Sequence, residues 1–215
     1  MTLYVPPHFA TADRAAIARL VHDHPFATLL TVAGQEPVVT HLPLVLVPDC
    51  EPWGTLVGHF ARANPHAGIA AGGPSIAVFH GPHAYVSPSW YADPAASVPT
   101  WNYAVAHLHG TVELAADAEQ TQAVLGLLID RFESERAMPW RPALDAARAA
   151  AMVGAIVGFR IRVTHVDAKF KLSQNRSADD RQRVAAALAG DGHADATATA
   201  EWMRAYVPGA RGGEA

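Results

Sequence analysis

The chain has 215 residues, of which 50% are hydrophobic and only 17% charged, with a formal net charge of −4 and a single cysteine. A chain of this size removes roughly 70% of its unfolded surface from water on folding, so a full core is within reach. The negative balance, with no Lys/Arg block, argues against non-specific nucleic-acid binding, and Cys50 alone excludes an internal disulfide or a Cys-rich metal site.

A reducing compartment fits the lone cysteine. The opening MTLYVPPHFA has neither a basic n-region nor an apolar h-region, and no run approaches 18 apolar residues. A soluble cytoplasmic protein is therefore expected, with no membrane partner. So little surface charge suits a chain that hides part of itself in a subunit contact, and a homodimer is the expectation.

Thr11 and Asp13 can cap a helix running to about Asp23, with Ile17, Leu20 and Val21 on one face. Phe26 to Ala33 and Val38 to Val47 read as a hairpin around Gly34-Gln35-Glu36-Pro37, and Thr55 to Phe60 as the next strand after a turn over Pro48 to Gly54. Asn64 is a good N-cap, Pro65 suits a first helical position and Gly72-Gly73 a stop. The free N–H groups of that helix start favour an anion, with Arg62 and His66 beside it; the competing reading is a capped surface helix with a solvated Arg62.

Ser75 to His80 is a strand that Tyr85-Val86 continues or pairs with, and Asn102 to Leu114 is the longest clean one. Its alternation puts Ala104, Ala106, Leu108, Val112 and Leu114 on the core face. Asp117 with Gln120 resembles a capping box for a helix to about Arg136, packed by Val124, Leu127, Leu128 and Phe132. After the break Pro139-Trp140-Arg141-Pro142, a short helix is expected over Ala143 to Met152. In the strand Ile156 to Val166, Val157, Phe159, Ile161 and Val163 face in. A donor-rich segment, Lys169 to Arg176, leads to a helix near Asp179 to Leu188, and Glu201 to Tyr206 makes a last helical turn or two.

Six or seven strands in meander order, without regular strand-helix alternation, predict mainly β structure with α: an antiparallel β-barrel with peripheral helices. The expected organisation is a single domain over 1–207, its C-terminal helices starting near 177, and a flexible tail over 208–215.

No helical HExxH pair accompanies the histidines, and no metal site is expected from His80 with His83 or His107 with His109. A haem axial ligand among the twelve histidines stays open. G-x-S-x-G, G-x-G-x-x-G and Walker loops are all missing, so a phosphate-bearing ligand must be held by Arg62 and its helix start, Ser87, Ser89, Asn102, and the cluster Lys171, Gln174, Asn175 and Arg176. Between Ser87 and Tyr103, prolines fix the backbone around Trp90, Tyr91 and Trp101, which suits a wall for a flat ligand or an interface anchor.

Taken together, several segments resemble the PaiB-type family of FMN-binding negative transcriptional regulators, within the FMN-binding split-barrel superfamily typified by pyridoxamine-phosphate oxidase. They are Leu3 to Phe9, Thr40-His41-Leu42-Pro43, Gly58 to Pro65, Tyr85 to Tyr91, Val98 to Tyr103 and Lys171 to Arg176, in order along nearly the whole chain. The resemblance implies a split β-barrel homodimer with FMN at the subunit contact, lined by residues of both chains. It implies that Thr40, His41 and Leu42 lie along the flavin ring and that His59, Arg62 and Asn64 approach the ribityl phosphate. It brings Ser87, Trp101, Asn102, Lys171, Gln174 and Arg176 to the same cofactor. Where oxidases of the superfamily often place Ser and Lys for the phosphate, this chain has Ala61 and Arg62. The functional expectation is a flavin-dependent sensor or regulator in which direct contact with DNA is doubtful, since no helix-turn-helix or basic stripe is evident; a flavin oxidoreductase and a haem-binding split barrel are the alternatives.

Overall fold

Asp13 starts the first helix, its Oδ1 accepting from the backbone N–H of Ala15 and Ala16 at 3.0 and 3.2 Å. The helix α1 (Arg14–Asp23) buries Ile17, Leu20 and Val21, as the spacing predicts. These features belong to a computed structural model that describes residues 3–207. The tail expected over 208–215 lies outside the described residues.

Strand β1 (Phe26–Ala33) pairs antiparallel with β2 (Glu36–Pro43) through a turn in which Gly34 has φ 64°. The second run of the hairpin breaks at Leu44, whose N–H bonds Pro25 O and whose side chain is fully buried, and resumes as β3 (Val45–Val47). β4 (Thr55–Ala61) pairs with β3, and the five-residue α2 (His66–Ala70) follows. It begins one residue later than Pro65, with Asn64 Oδ1 accepting from His66 N–H.

β5 (Pro74–Val86) is one continuous strand, and β6 (Thr100–Leu114) buries the even-numbered face from Asn102 to Val112 as its alternation requires. The helix α3 (Ala118–Glu133) is capped by Asp117, which accepts from Gln120 N–H at 2.8 Å, while Gln120 Oε1 reaches back to Ala116 N–H. α4 (Ala146–Gly154), β7 (Ile156–Lys171), α5 (Ala178–Ala189) and α6 (Ala194–Tyr206) complete the chain. α6 is far longer than the expected turn or two, because its Ala/Thr-rich first half carries little periodic signal and is held by burial of Ala196, Thr199 and Ala200.

The seven strands hydrogen-bond in the order β2-β1-β5-β6-β7-β4-β3, and the pairings β1 with β2 and β5, and β4 with β3 and β7, are antiparallel. This departs from a simple meander, since β4 pairs with β7, about a hundred residues on in sequence.

Residue contacts divide the chain into two compact units, between which α1, β5, β6 and β7 are shared by sequence. One comprises the described residues up to Leu20, His80–Ala106 and those from Asp167 on. Its core includes Phe9, Phe170, Leu172, Val184, Leu188 and Met203, with Phe170, Trp202 and Tyr206 in mutual ring contact at 4.9–5.7 Å. The other comprises Val21–Phe79 and His107–Val166. There Phe60 stacks on Phe159 at 4.5 Å, and Val57, Val124 and Leu128 form a cluster under α3.

Candidate functional site

The sequence-predicted residues fall into two groups, one in each unit. In the unit Val21–Phe79 with His107–Val166, Thr40, His41 and Leu42 stand on the edge strand β2, and strand alternation sends them to opposite faces. Leu42 is buried and approaches Gly58, where an added Cβ would meet it at 3.3 Å. His41 is exposed; its Nδ1 lies 3.0 Å from Thr28 Oγ1 and its ring stacks on Phe26.

Thr40 is half-buried and heads a polar network. Its Oγ1 lies 2.7 Å from His66 Nδ1 and accepts from Asn64 Nδ2 at 3.1 Å. His66 Nε2 meets Thr31 Oγ1 at 3.0 Å, and Thr31 meets Ser75 Oγ at 2.6 Å. His59, on β4, has its Nδ1 buried without a hydrogen-bond partner among the described residues, and burial holds its pKa below the usual imidazole value. Arg62 is committed elsewhere: Nε donates to Gly154 O and Nη2 to Ile156 O, both at 2.6 Å, bracing the end of α4 against the start of β7.

The second group lies in the other unit. Trp101 is about half exposed, flanked by His83 and Tyr85 at ring distances of 6.2 Å, and these three share an open cleft of about 360 Å³ with Trp90, Leu188 and His193. Ser87 caps the short turn Pro88–Trp90, accepting from Ser89 N–H. Asn102 is fully buried, and its Nδ2 donates to Ser173 Oγ and contacts Met203 Sδ. Gln174 bridges its own turn, accepting from Leu172 N–H and donating to Phe170 O. Asn102 and Gln174 therefore build the site's frame and have little left for a ligand.

Lys171 and Arg176 have donors to spare. Lys171 Nζ donates to Thr100 Oγ1 at 2.7 Å and Trp101 O at 2.6 Å, two of the three hydrogens an ammonium offers. The Arg176 guanidinium lies over the Tyr91 ring at 4.3 Å, and none of its N–H groups bonds a described residue. Desolvation, then Lys169, then Arg176 push the Lys171 pKa below the usual lysine value, and no carboxylate counters them.

Sequence reading gave Lys169 no separate role, yet it is buried, donates to Tyr4 O and lies over the rings of Tyr4 and Tyr103. It also noted His66 only as a neighbour of a helix start, whereas His66 is fully buried between two hydroxyls. The signals are a lysine and a histidine in apolar surroundings; the lysine's partner Tyr4 lies 165 residues away and the histidine's partner Thr31 lies 35 away, beyond local patterns.

A family profile described as "Putative FMN-binding domain" matches residues 3–165. The chain belongs to this FMN-binding family. Within the family's reach, a relative in Bacillus subtilis (strain 168), "Protease synthase and sporulation protein PAI 2", is 32% identical over 204 residues, covering 94% of this chain and 96% of the relative. An uncharacterized protein of Emericella nidulans is 28% identical, over 85% of this chain and 88% of its own length.

Among solved structures, the FAD and heme binding protein from Mycobacterium smegmatis superposes with a TM-score of 0.59 at 20% identity, over 75% of this chain and 73% of the other. The flavocytochrome Anf3 from Azotobacter vinelandii gives 0.60 at 15% identity, over 78% and 72%. The fold is thus the expected antiparallel split barrel with peripheral helices. No helix among the described residues is long and apolar enough to cross a membrane.

The residues present fit the family's cofactor, FMN. Its phosphate needs cationic donors unpaired with carboxylates, which Lys171 and Arg176 supply, and charged hydrogen bonds of this kind are about twice as strong as neutral ones. Its ring needs apolar faces, for which half-exposed Trp101, beside Lys171 in the same unit, is of the right chemistry.

Proposed function

We propose that this chain is a flavin-dependent sensor of the PaiB type, a cytoplasmic homodimer with FMN at the subunit contact and residues of both protomers lining it. The observation that carries the reading is the uncompensated cationic group of Lys169, Lys171 and Arg176, which crowds positive charge where a phosphate dianion would relieve it. In this reading Lys171 and Arg176 hold the phosphate with Trp101 near them, and the Thr40 hydroxyl is the ring-edge contact that β2 offers, Leu42 being packed inward and His41 standing on the opposite face of β2. His59 and Asn64 stand on the ribityl side, and Ser87, Asn102, Gln174 and Arg62 fix the backbone around these groups. Bound FMN supplies a redox centre; the side chains bind it, orient it and limit its contact with water.

A homodimer is supported by an apolar sheet face. Phe26, Val32 and Val39 are 67%, 59% and 46% exposed, and Leu30 stands opposite Val39 in the ladder, with Ile76 on its other side. These apolar side chains, interrupted on the same face by Thr28 and His41, suit burial in a subunit contact. The regulatory role extends to this chain from the Bacillus relative, whose name ties it to protease synthesis and sporulation. The net charge of −4 favours a route through a protein partner over direct grip on DNA.

Purified protein tests this directly. A flavin spectrum with FMN bound per protomer, dimeric mass in solution, and no turnover with NADH or NADPH are expected. Bleaching of the flavin by either nucleotide at a catalytic rate would make the chain an oxidoreductase instead, and a Soret band would make it a haem protein. A gel shift that weakens steeply with salt would restore direct DNA binding.

A further inference from the structure

His66 sits with no exposed surface between two hydroxyls, Thr40 Oγ1 at 2.7 Å from Nδ1 and Thr31 Oγ1 at 3.0 Å from Nε2. No carboxylate is among its partners and burial lowers its pKa, so the ring is neutral at physiological pH, with one N–H and one lone pair. Two arrangements of hydrogens are open to the network.

In the first, Nδ1–H donates to Thr40, and Nε2 accepts from the Thr31 hydroxyl, which in turn accepts from Ser75. Thr40 Oγ1 then accepts twice, from Asn64 Nδ2 and from His66, and its own hydrogen is not used within the network. In the second, Nε2–H donates to Thr31, and the Thr40 hydroxyl gives its hydrogen to Nδ1. Thr40 then offers outward a lone pair and no hydrogen. The first pairs every buried hydrogen along His66, Thr31 and Ser75; in the second the Thr31 hydroxyl donates to Ser75 Oγ and the Ser75 hydrogen has no acceptor among the described residues, so the first is the resting arrangement and the second forms when a partner at Thr40 demands it.

We propose that His66 is a positioning residue whose tautomer sets whether Thr40 presents a proton or a lone pair to the flavin ring edge, so that one hydroxyl serves both redox states. The ring edge of an oxidised flavin accepts hydrogen bonds at a nitrogen that carries N–H once reduced. A fixed donor would hold one state and repel the other; the amphoteric pair His66–Thr40 matches both. This rests on Thr40 bordering the flavin.

Histidine 15N spectra of the full-length protein, with oxidised FMN and after anaerobic dithionite reduction, test it. The His66 signals are assigned by their loss in His66→Gln or, should that variant not fold, by their displacement in Thr40→Val. The expected result is Nδ1–H with oxidised flavin and Nε2–H with reduced flavin. The same tautomer in both states overturns the switch. Thr40→Val separates the underlying reading: a loss of about two- to tenfold in FMN affinity, the worth of one neutral hydrogen bond, is expected. Unchanged affinity and unchanged reduction potential would remove Thr40 from the flavin, and the proposal with it.

Discussion

The amide of Asn102 and the hydroxyl of Ser173 exchange hydrogen bonds across 71 residues of sequence, Nδ2 donating to Oγ at 2.9 Å and Oγ donating to Oδ1 at 3.3 Å. Both residues are buried, and Ser173 takes φ 67°, a left-handed conformation that a serine adopts only when its surroundings impose it. Asn102→Ala leaves that hydroxyl without its partner and is expected to cost about 1–3 kcal/mol, read as a lower urea midpoint with unchanged slope. Ser173→Gly relieves the backbone while losing the same bond, so it should cost less than Asn102→Ala. An equal or larger loss would show that the conformation stores no strain.

Gly110 and Gly126 should respond to alanine with opposite signs. A Cβ at Gly110 would stand 2.3 Å from Arg162 O, a backbone atom that cannot swing aside, and a destabilisation of about 1–3 kcal/mol is expected. Gly126 lies inside α3 with nothing within 4 Å of the added carbon. There alanine should stabilise by about 0.5–1 kcal/mol through helix propensity. Thermal midpoints of the two variants check both signs.

Lys171 makes the cofactor-free protein pH-sensitive in a predictable direction. Its folded-state pKa lies below its unfolded value of 10.5 because of desolvation and its cationic neighbours. Between those two values the unfolded chain binds more protons than the folded one, so stability rises with pH through that window. Melting temperatures from neutral pH toward 10 should therefore climb relative to Lys171→Met. Saturating inorganic phosphate or FMN should flatten the difference. A slope identical in the variant would refute the assignment.

Arg62 and Lys171 can be told apart by ligand choice. Lys171→Met should weaken FMN by about 1.5–3 kcal/mol and riboflavin much less, because the lost bond is to a charged phosphate. Arg62→Ala should weaken both equally, since its Nε and Nη2 are tied to Gly154 O and Ile156 O. A phosphate-specific loss in Arg62→Ala would return the phosphate to the helix start at Asn64 and Pro65. Fluorescence titration with each ligand gives both numbers.

Local physics made much of this fold readable in advance. Asp13 and Asp117 announced their helices because capping is a property of three or four consecutive residues. The alternation of Ala104, Ala106 and Leu108 exposed the core face of β6 because a strand repeats every two residues. What stayed hidden depends on residues far apart. The pairing of β4 with β7 is a topological choice, and α6 is held by burial that its composition does not advertise. For the site, residue types were legible but directions were not: Arg62 looked available until its carbonyl partners, more than 90 residues away, took it. His66 looked incidental until the sheet closed Thr31 and Thr40 around it.

The left-handed turn at Ser173 has one more effect. It lies between Lys171 and Arg176, and it is pinned from below by Asn102 and from the side by the Gln174 clamp. The backbone path from Lys171 to Arg176 is thus fixed before any ligand arrives. If the two hold the cofactor's phosphate, lengthening this turn by one residue would move one cation relative to the other and change which anion fits without changing the charge of the chain.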